Sequence, residues 1–152
     1  MDKNDILKLE NQLCFSIYAA SRAITKVYRP FLDQIGITYP QYLVMLVLWE
    51  SSTVTLKDLS KKLYLDSGTL TPLLKRLERM ELIKRGRSKE DERGLCISIT
   101  EKGMAMKQQA LVIPECILGA INTDVIFLAQ LKTEVDKLIE HITKQGDPSC
   151  EP

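Results

Sequence analysis

The stretch "SGTLTPLLKRLERMELIKRGRSKEDERGLCISITEKG", residues 67–103, changes its periodicity partway along. Leu70, Leu73, Leu74 and Leu77 recur at helical spacing behind the small residues Ser67, Gly68 and Thr69. Residues 82–87 and 94–100 have strand character instead. In the second of these, Leu95, Ile97 and Ile99 alternate with Cys96 and Ser98. "GRSKEDER", residues 86–93, joins them as a charged hairpin connection. The order helix, strand, charged turn, strand is the decisive reading in this chain.

Working toward the N-terminus, residues 57–63 read as a short helix about one turn ahead of the helix that Asp66, Ser67 and Gly68 begin. Residues 54–56 suggest a brief strand and residues 51–53 a turn. Thr38 and Pro40 supply a cap and a first-turn proline for a helix over 40–50. Residues 6–34 form a long helix pattern in which Leu9, Leu13, Ile17, Ala20, Ile24, Val27 and Phe31 make one apolar stripe. Pro30 is expected to kink or interrupt it, and Gly36 to close it. Toward the C-terminus, residues 101–119 read as a helix bent at Pro114. Residues 123–144 carry a heptad-like seam of Leu128, Leu131, Val135, Leu138 and Ile142.

Two short helices followed by a hairpin with a basic tip make a winged helix-turn-helix pattern. The expected fold class is mainly α with a small β-hairpin wing, flanked by long terminal dimerisation helices. We expect one domain over 1–152, with dimerisation helices at 1–35 and 101–145. The DNA-binding region falls at 53–100 and a flexible tail at 146–152.

Composition fits a globular chain: 152 residues, 45% hydrophobic and 27% charged. Apolar runs stop far short of the ~20 residues a membrane span needs, and the charged N-terminus reads as no signal peptide, so a cytoplasmic location is expected. The cysteines at 14, 96, 116 and 150 follow no metal spacing, and His141 is the single histidine, so neither metal nor cofactor is expected. The net charge of +1 is unevenly spread. Residues 57–93 hold eleven Lys/Arg against seven Asp/Glu, a surplus of four that leaves the remainder at −3.

In the second short helix Ser67, Gly68, Thr69 and Thr71 are small enough to approach base edges and phosphates of double-stranded DNA. Lys75 and Arg76 lie one to two turns on, where long cations reach phosphate or guanine. Pro72 removes a backbone bond inside the helix, a cost that a purely structural helix would avoid. Arg85, Arg87, Lys89 and Arg93 are expected to enter the minor groove or clamp phosphates, with Asp91 pairing to stiffen the turn. Taken singly, each has a plainer reading: a hydroxyl at a helix start is often a cap, and a charged tip is often solvated surface.

Cys14 opens a second stripe on the long first helix, continued by Tyr18, Ser21, Thr25 and Tyr28. Hydroxyls that hydrogen-bond a thiolate lower its pKa and make it nucleophilic. Tyr28 lies fourteen residues from Cys14, about 21 Å at helical rise. It therefore reaches the Cys14 of a second chain rather than its own, whereas Tyr39 can fold back toward the first helix. The competing reading of Cys14 is a small buried hydrophobe. No His or Arg adjacent to Cys14 offers turnover, so stoichiometric oxidation is favoured over enzymatic catalysis. Cys96, alternating on its strand, is expected to be inert, and His141 to lie on the surface or in the seam.

"DERGLCISITEKG", residues 91–103, resembles the wing signature of the multiple-antibiotic-resistance regulator (MarR) family, met here by Asp91, Arg93, Ile97, Ile99, Thr100 and Gly103. "NQLCFSIYAASR", "ITYPQYLVMLVLWE" and "LYLDSGTLTPLLKRLE" resemble, more narrowly, its thiol-based organic-hydroperoxide-sensing repressors. The resemblance implies a homodimer with interlocked terminal helices, whose two winged helices bind a pseudo-palindromic operator. It implies that Cys14 is bonded by two tyrosines, one from each subunit, at the positions of Tyr28 and Tyr39, and that an organic hydroperoxide oxidises it. Some members resolve the sulfenic acid with an intersubunit cysteine in the fifth helix. Cys116 lies in that region, though Gly119 stands where such a cysteine is expected, and Cys150 or a small cellular thiol is the alternative. A second reading keeps the repressor but makes Cys14 structural, with release by a small phenolic or drug-like ligand in the dimer cavity.

Overall fold

The computed structural model describes residues 5–87 and 94–144, so Lys89, Asp91, Arg93 and Cys150 lie outside the described residues. The chain divides into two compact units, Met1–Ile113 and a second that begins at Pro114. The first unit contains α1 (Leu13–Gln34), α2 (Tyr39–Ser51), β1 (Thr53–Thr55), α3 (Leu56–Leu63), α4 (Ser67–Arg79), β2 (Ile83–Arg87), β3 (Leu95–Ile99) and α5 (Glu101–Ala110). Beyond it come α6 (Ile113–Ile121) and α7 (Val125–Lys144). The architecture is mainly α-helical with one small sheet.

α1 starts later than its periodicity suggests. Residues before it form two single 3₁₀ turns, Asp5–Leu7 and Leu9–Asn11. Asn11 Nδ2 donates to the Asp5 carbonyl at 2.7 Å and the Gln12 amide donates to the Ile6 carbonyl. These side-chain bonds compete with the helical ladder and hold the segment out of it. Pro30 does not interrupt α1, which runs on to Gln34, and Gly36 follows at φ 73°, where glycine is unstrained. The apolar stripe is left largely uncovered. Leu32 is the one buried residue of α1, while Leu13, Ile17 and Ile24 remain exposed.

The core of the first unit is centred on α2, where Tyr42, Val44, Met45, Val47, Leu48 and Trp49 are buried around most of the helix. Gln41 is buried too, and its Oε1 accepts from the Thr38 N–H at 2.9 Å, which satisfies a helix-start donor. Leu59 of α3, Leu70, Leu74 and Leu77 of α4, and Leu82, Ile83 and Ile97 complete the core. Each buried leucine contributes about 1.5–3 kcal/mol. Three of them on α4 offset the roughly 3 kcal/mol that Pro72 costs inside that helix.

The sheet has three strands rather than a two-stranded hairpin, in the order β1-β3-β2, antiparallel throughout. Val54, Ile97 and Arg85 sit in one cross-strand row, and Thr55, Cys96 and Gly86 in the next. Alternation therefore turns Val54 and Ile97 into the core and Cys96 to the other face. At the exit of β3, Thr100 caps α5 by accepting from the Gly103 N–H at 3.0 Å and donates its own proton to the Glu81 carbonyl at 2.6 Å. Gly103 is required there, because a Cβ would stand 2.2 Å from the Leu82 carbonyl oxygen.

The expected bend at Pro114 is a break. α5 ends at Ala110 and α6 starts at Ile113, with Pro114 in its first turn, where its missing N–H costs nothing. On α7 none of the twenty residues is buried, and the seam residues Leu131 and Ile142 are 46% and 63% exposed. No single helix among the described residues is long and apolar enough to cross a membrane.

Candidate functional site

α4 is begun by Asp66. Its carboxylate accepts from the Thr69 N–H at 2.7 Å and from the Thr69 hydroxyl at 3.0 Å. Those bonds, the backbone one foremost, hold the Asp66 carboxyl below its ordinary range. Ser67 is thereby relieved of capping. Ser67, Gly68, Thr69, Pro72, Lys75 and Arg76 are exposed, opposite the buried leucines, and Thr71 is half-buried. The Thr71 hydroxyl donates to the Ser67 carbonyl at 2.7 Å. With both threonine protons directed into the helix, Thr69 and Thr71 present acceptor lone pairs outward. Amino groups on base edges suit them better than phosphates.

Arg85 departs from its expected role at the wing tip. It lies within β2, where Glu78 of α4 accepts from its backbone N–H at 3.1 Å, its Nε at 2.8 Å and its Nη2 at 2.5 Å. The guanidinium holds the Glu78 carboxyl below its ordinary range, chiefly through the side-chain hydrogen bonds. Arg85 thus ties the wing to α4 instead of reaching outward. Arg87, at the end of β2, is exposed. Lys84, Arg87 and Lys62 line an open groove of about 830 Å³ over the outer sheet face, with Cys96 on its wall. Cys96 is therefore half-exposed rather than enclosed.

The thiol site is divided within one chain. Cys14 is exposed near the start of α1. One turn along, the Tyr18 hydroxyl accepts from Arg22 Nη1 at 3.1 Å, and the guanidinium carbon lies 5.6 Å from the Tyr18 ring centre. Arg22 stands eight residues from Cys14, about 12 Å at helical rise, and is not adjacent to the thiol. At the other end of α1, Tyr28 meets Tyr39 with ring centroids 4.9 Å apart, edge to face. Tyr42 joins them at 5.9 Å from Tyr28 and 6.5 Å from Tyr39. Burial, first, and neighbouring tyrosines raise the pKa of Tyr28 and Tyr42, and burial raises that of Tyr39. All three hydroxyls therefore stay protonated, as donors, at neutral pH.

Sequence reasoning passed over Tyr42, Glu78 and Arg22. The i, i+3 spacing of Tyr39 and Tyr42 was a usable signal for the first, whereas the Glu78–Arg85 contact depends on how the wing folds back. Cys116 lies on α6 and is half-exposed. His141 is exposed, its Nδ1 2.7 Å from the Lys137 carbonyl oxygen. Among the described residues no group of three or more His, Cys, Asp or Glu is placed to hold a metal.

A family model described as transcriptional regulator SarA/Rot matches residues 26–110. The chain is 54% identical over 145 residues to the organic hydroperoxide resistance transcriptional regulator of Bacillus subtilis (strain 168), covering 95% of this chain and 99% of that one. Its fold matches reduced AbfR bound to DNA with a TM-score of 0.74 at 38% identity, over 92% of this chain and 97% of that one. AbfR of Staphylococcus epidermidis was also solved in a second structure, matched with a TM-score of 0.74 at 37% identity over 95% and 99% of the two chains. With a three-stranded winged fold and these relatives, the chain belongs to the MarR family of winged helix-turn-helix transcriptional regulators, close to the AbfR and organic-hydroperoxide-resistance regulators.

Proposed function

We propose that this protein is a homodimeric repressor that releases a pseudo-palindromic operator when an organic hydroperoxide oxidises Cys14, derepressing a peroxide-detoxification gene in the cytoplasm. The observation that carries this reading is the separation of the thiol from its tyrosines. Cys14 is exposed near one end of α1 while Tyr28 and Tyr39 are in ring contact at the other, about 21 Å away at helical rise. A second chain with its α1 opposed closes that gap. The ring contact of Tyr28 with Tyr39 inside one chain supports a variant of this reading in which both hydroxyls facing a given Cys14 come from the same partner.

The exposed stripe of α1 and the open seam of α7 are the surfaces for that pairing. Residues 1–35 and 101–145 would form the dimer, and residues 53–100 would meet DNA through Ser67, Gly68, Thr69, Thr71, Pro72, Lys75, Arg76 and Arg87. The hydroperoxide-resistance regulator of Bacillus subtilis and the DNA-bound AbfR support the reading by similarity.

In the chemistry, two protonated tyrosines donate to the Cys14 thiolate and orient it for attack. The thiolate attacks the terminal peroxide oxygen: the O–O bond breaks, an S–O bond forms, and sulfur is oxidised by two electrons. The alkoxide leaves and takes a proton to become the alcohol. The sulfenic acid then condenses with a second thiol, from Cys116, Cys150 or a small molecule, forming a disulfide and water. The added oxygen or disulfide displaces the tyrosines, and the spacing of the two α4 helices no longer matches the operator. Cys14→Ser is expected to bind DNA normally and to ignore peroxide; peroxide-driven release persisting in that variant would overturn the mechanism.

A further inference from the structure

Tyr42 takes no part in that chemistry, yet it connects the sensing pair to the rest of the fold. It is buried on α2, with its ring against both Tyr28 and Tyr39 and its other side 6.1 Å from the Trp49 ring at an interplanar angle of 66°. Trp49 is gripped in turn. Its Nε1–H donates to the Gly103 carbonyl at 2.9 Å, and its own carbonyl accepts from Lys107 Nζ at 3.2 Å. Gly103 packs against the Leu82 carbonyl so closely that no side chain fits, and Leu82 leads into β2. The same Leu82 carbonyl accepts from the Thr100 N–H at 3.1 Å, which locks both strands of the wing at their base. Tyr39, Tyr42 and Trp49 share α2, so a shift of Tyr39 carries Trp49 with it, and the Trp49–Gly103 bond carries it on to the wing root.

We propose that Tyr42 is the positioning residue for the thiol-facing pair Tyr28 and Tyr39, and that Trp49, held by Gly103, passes displacement of that pair to the root of the wing. The proposal rests on the reading above that Tyr28 and Tyr39 serve Cys14, and it divides the response into two separable steps. Tyr42 sets how fast the thiol oxidises; the Trp49–Gly103 bond sets how much that oxidation changes DNA affinity.

The test uses the full-length protein, cumene hydroperoxide, and a duplex selected from a random pool by the reduced wild type. Cys14 oxidation is followed by intact mass as a function of pH, and DNA affinity is measured before and after. Tyr42→Leu is expected to slow oxidation about tenfold and move its pH profile upward, because the two hydroxyl donors lose the ring that fixes them, at the scale of one hydrogen bond to a charged group. Tyr42→Phe keeps the ring and is expected to oxidise like wild type. Trp49→Phe keeps the contact with Tyr42 but loses the bond to Gly103. It is expected to oxidise at the wild-type rate while the affinity change falls about fivefold. Wild-type oxidation in Tyr42→Leu, or slow oxidation in Tyr42→Phe, overturns the positioning role. Wild-type release in Trp49→Phe overturns the transmission role. If Tyr42→Leu does not fold, Tyr42→Met takes its place with the same expected and overturning results, and Trp49→Phe still decides the transmission role. Cys14→Ser run in parallel separates these failures from failure of the sensing reading, because only the latter lets that variant respond.

Discussion

Tyr28 and Tyr39 stand edge to face, 4.9 Å between ring centres, although they belong to different helices. The contact fixes the two rings against each other, and under the proposed pairing a thiol from a second chain would meet both.

Under the proposed mechanism the two hydroxyls act on Cys14 together. Tyr28→Phe and Tyr39→Phe are each expected to slow its oxidation by about tenfold at neutral pH, the scale of one lost hydrogen bond to a charged group. The double variant is expected to lose less than the product of the two, because both act on one thiolate. Intact-mass time courses with one equivalent of hydroperoxide read this directly, and a strictly multiplicative loss would count against a shared site.

The tyrosine cluster also sets an alkaline limit. Tyr28, Tyr39 and Tyr42 are raised above their ordinary 10.0, chiefly by burial, so the folded chain holds these protons more tightly than the unfolded one. Their stabilisation is complete below the unfolded value and is lost as pH rises through the folded values. Thermal midpoints should be level approaching pH 10 and fall above it, with a shallower fall in Tyr42→Phe. A midpoint that does not respond to alkali would refute the burial argument.

Glu78 and Arg85 join α4 to the wing. Glu78→Gln removes the charge that Arg85 satisfies, and operator affinity is expected to drop by about tenfold through loss of wing orientation. The salt dependence of binding should stay unchanged, because the Arg85 guanidinium is turned to Glu78 rather than outward. Since Glu78 is held below its ordinary value of 4.5, its contribution is present above that pH and disappears as pH falls through the folded value. The acid-side loss of stability should therefore flatten in the variant. Filter binding across a salt series and acid melts provide the two measurements.

Gly103→Ala places a methyl 2.2 Å from the Leu82 carbonyl oxygen and 2.8 Å from Ile99 Cγ1. A destabilisation of about 1–3 kcal/mol is expected by urea denaturation. Gly86→Ala, with nothing within 4 Å, should stay within about 0.5 kcal/mol of wild type.

Local chemistry made much of this legible in advance. Thr38 with Pro40, Asp66 with Gly68, and the alternation through Ile97 and Ile99 located α2, α4 and β3 to within a residue or two. What periodicity did not reveal was the partner of each stripe. The α1 residues Leu13, Ile17 and Ile24 have the spacing of a core face, but spacing does not distinguish an interior from an interface. The pairing of Thr53 with Ser98 was equally hidden, because it joins segments far apart in the chain. At the site, Cys14, Tyr28 and Tyr39 were readable as types and positions. Tyr42 was masked by lying in an apolar run, where an aromatic ring reads as packing.

The uncovered seam of α7 makes abundance part of this protein's folding. Under the proposed pairing a second copy covers Leu131, Val135 and Ile142, so unfolding becomes a bimolecular equilibrium whose midpoint is expected to climb with protein concentration. Mass action then runs in both directions: dilution erodes the fold, and an operator that holds two copies together restores it. The DNA is in that sense a component of the stable structure, and a released regulator is also a less durable one.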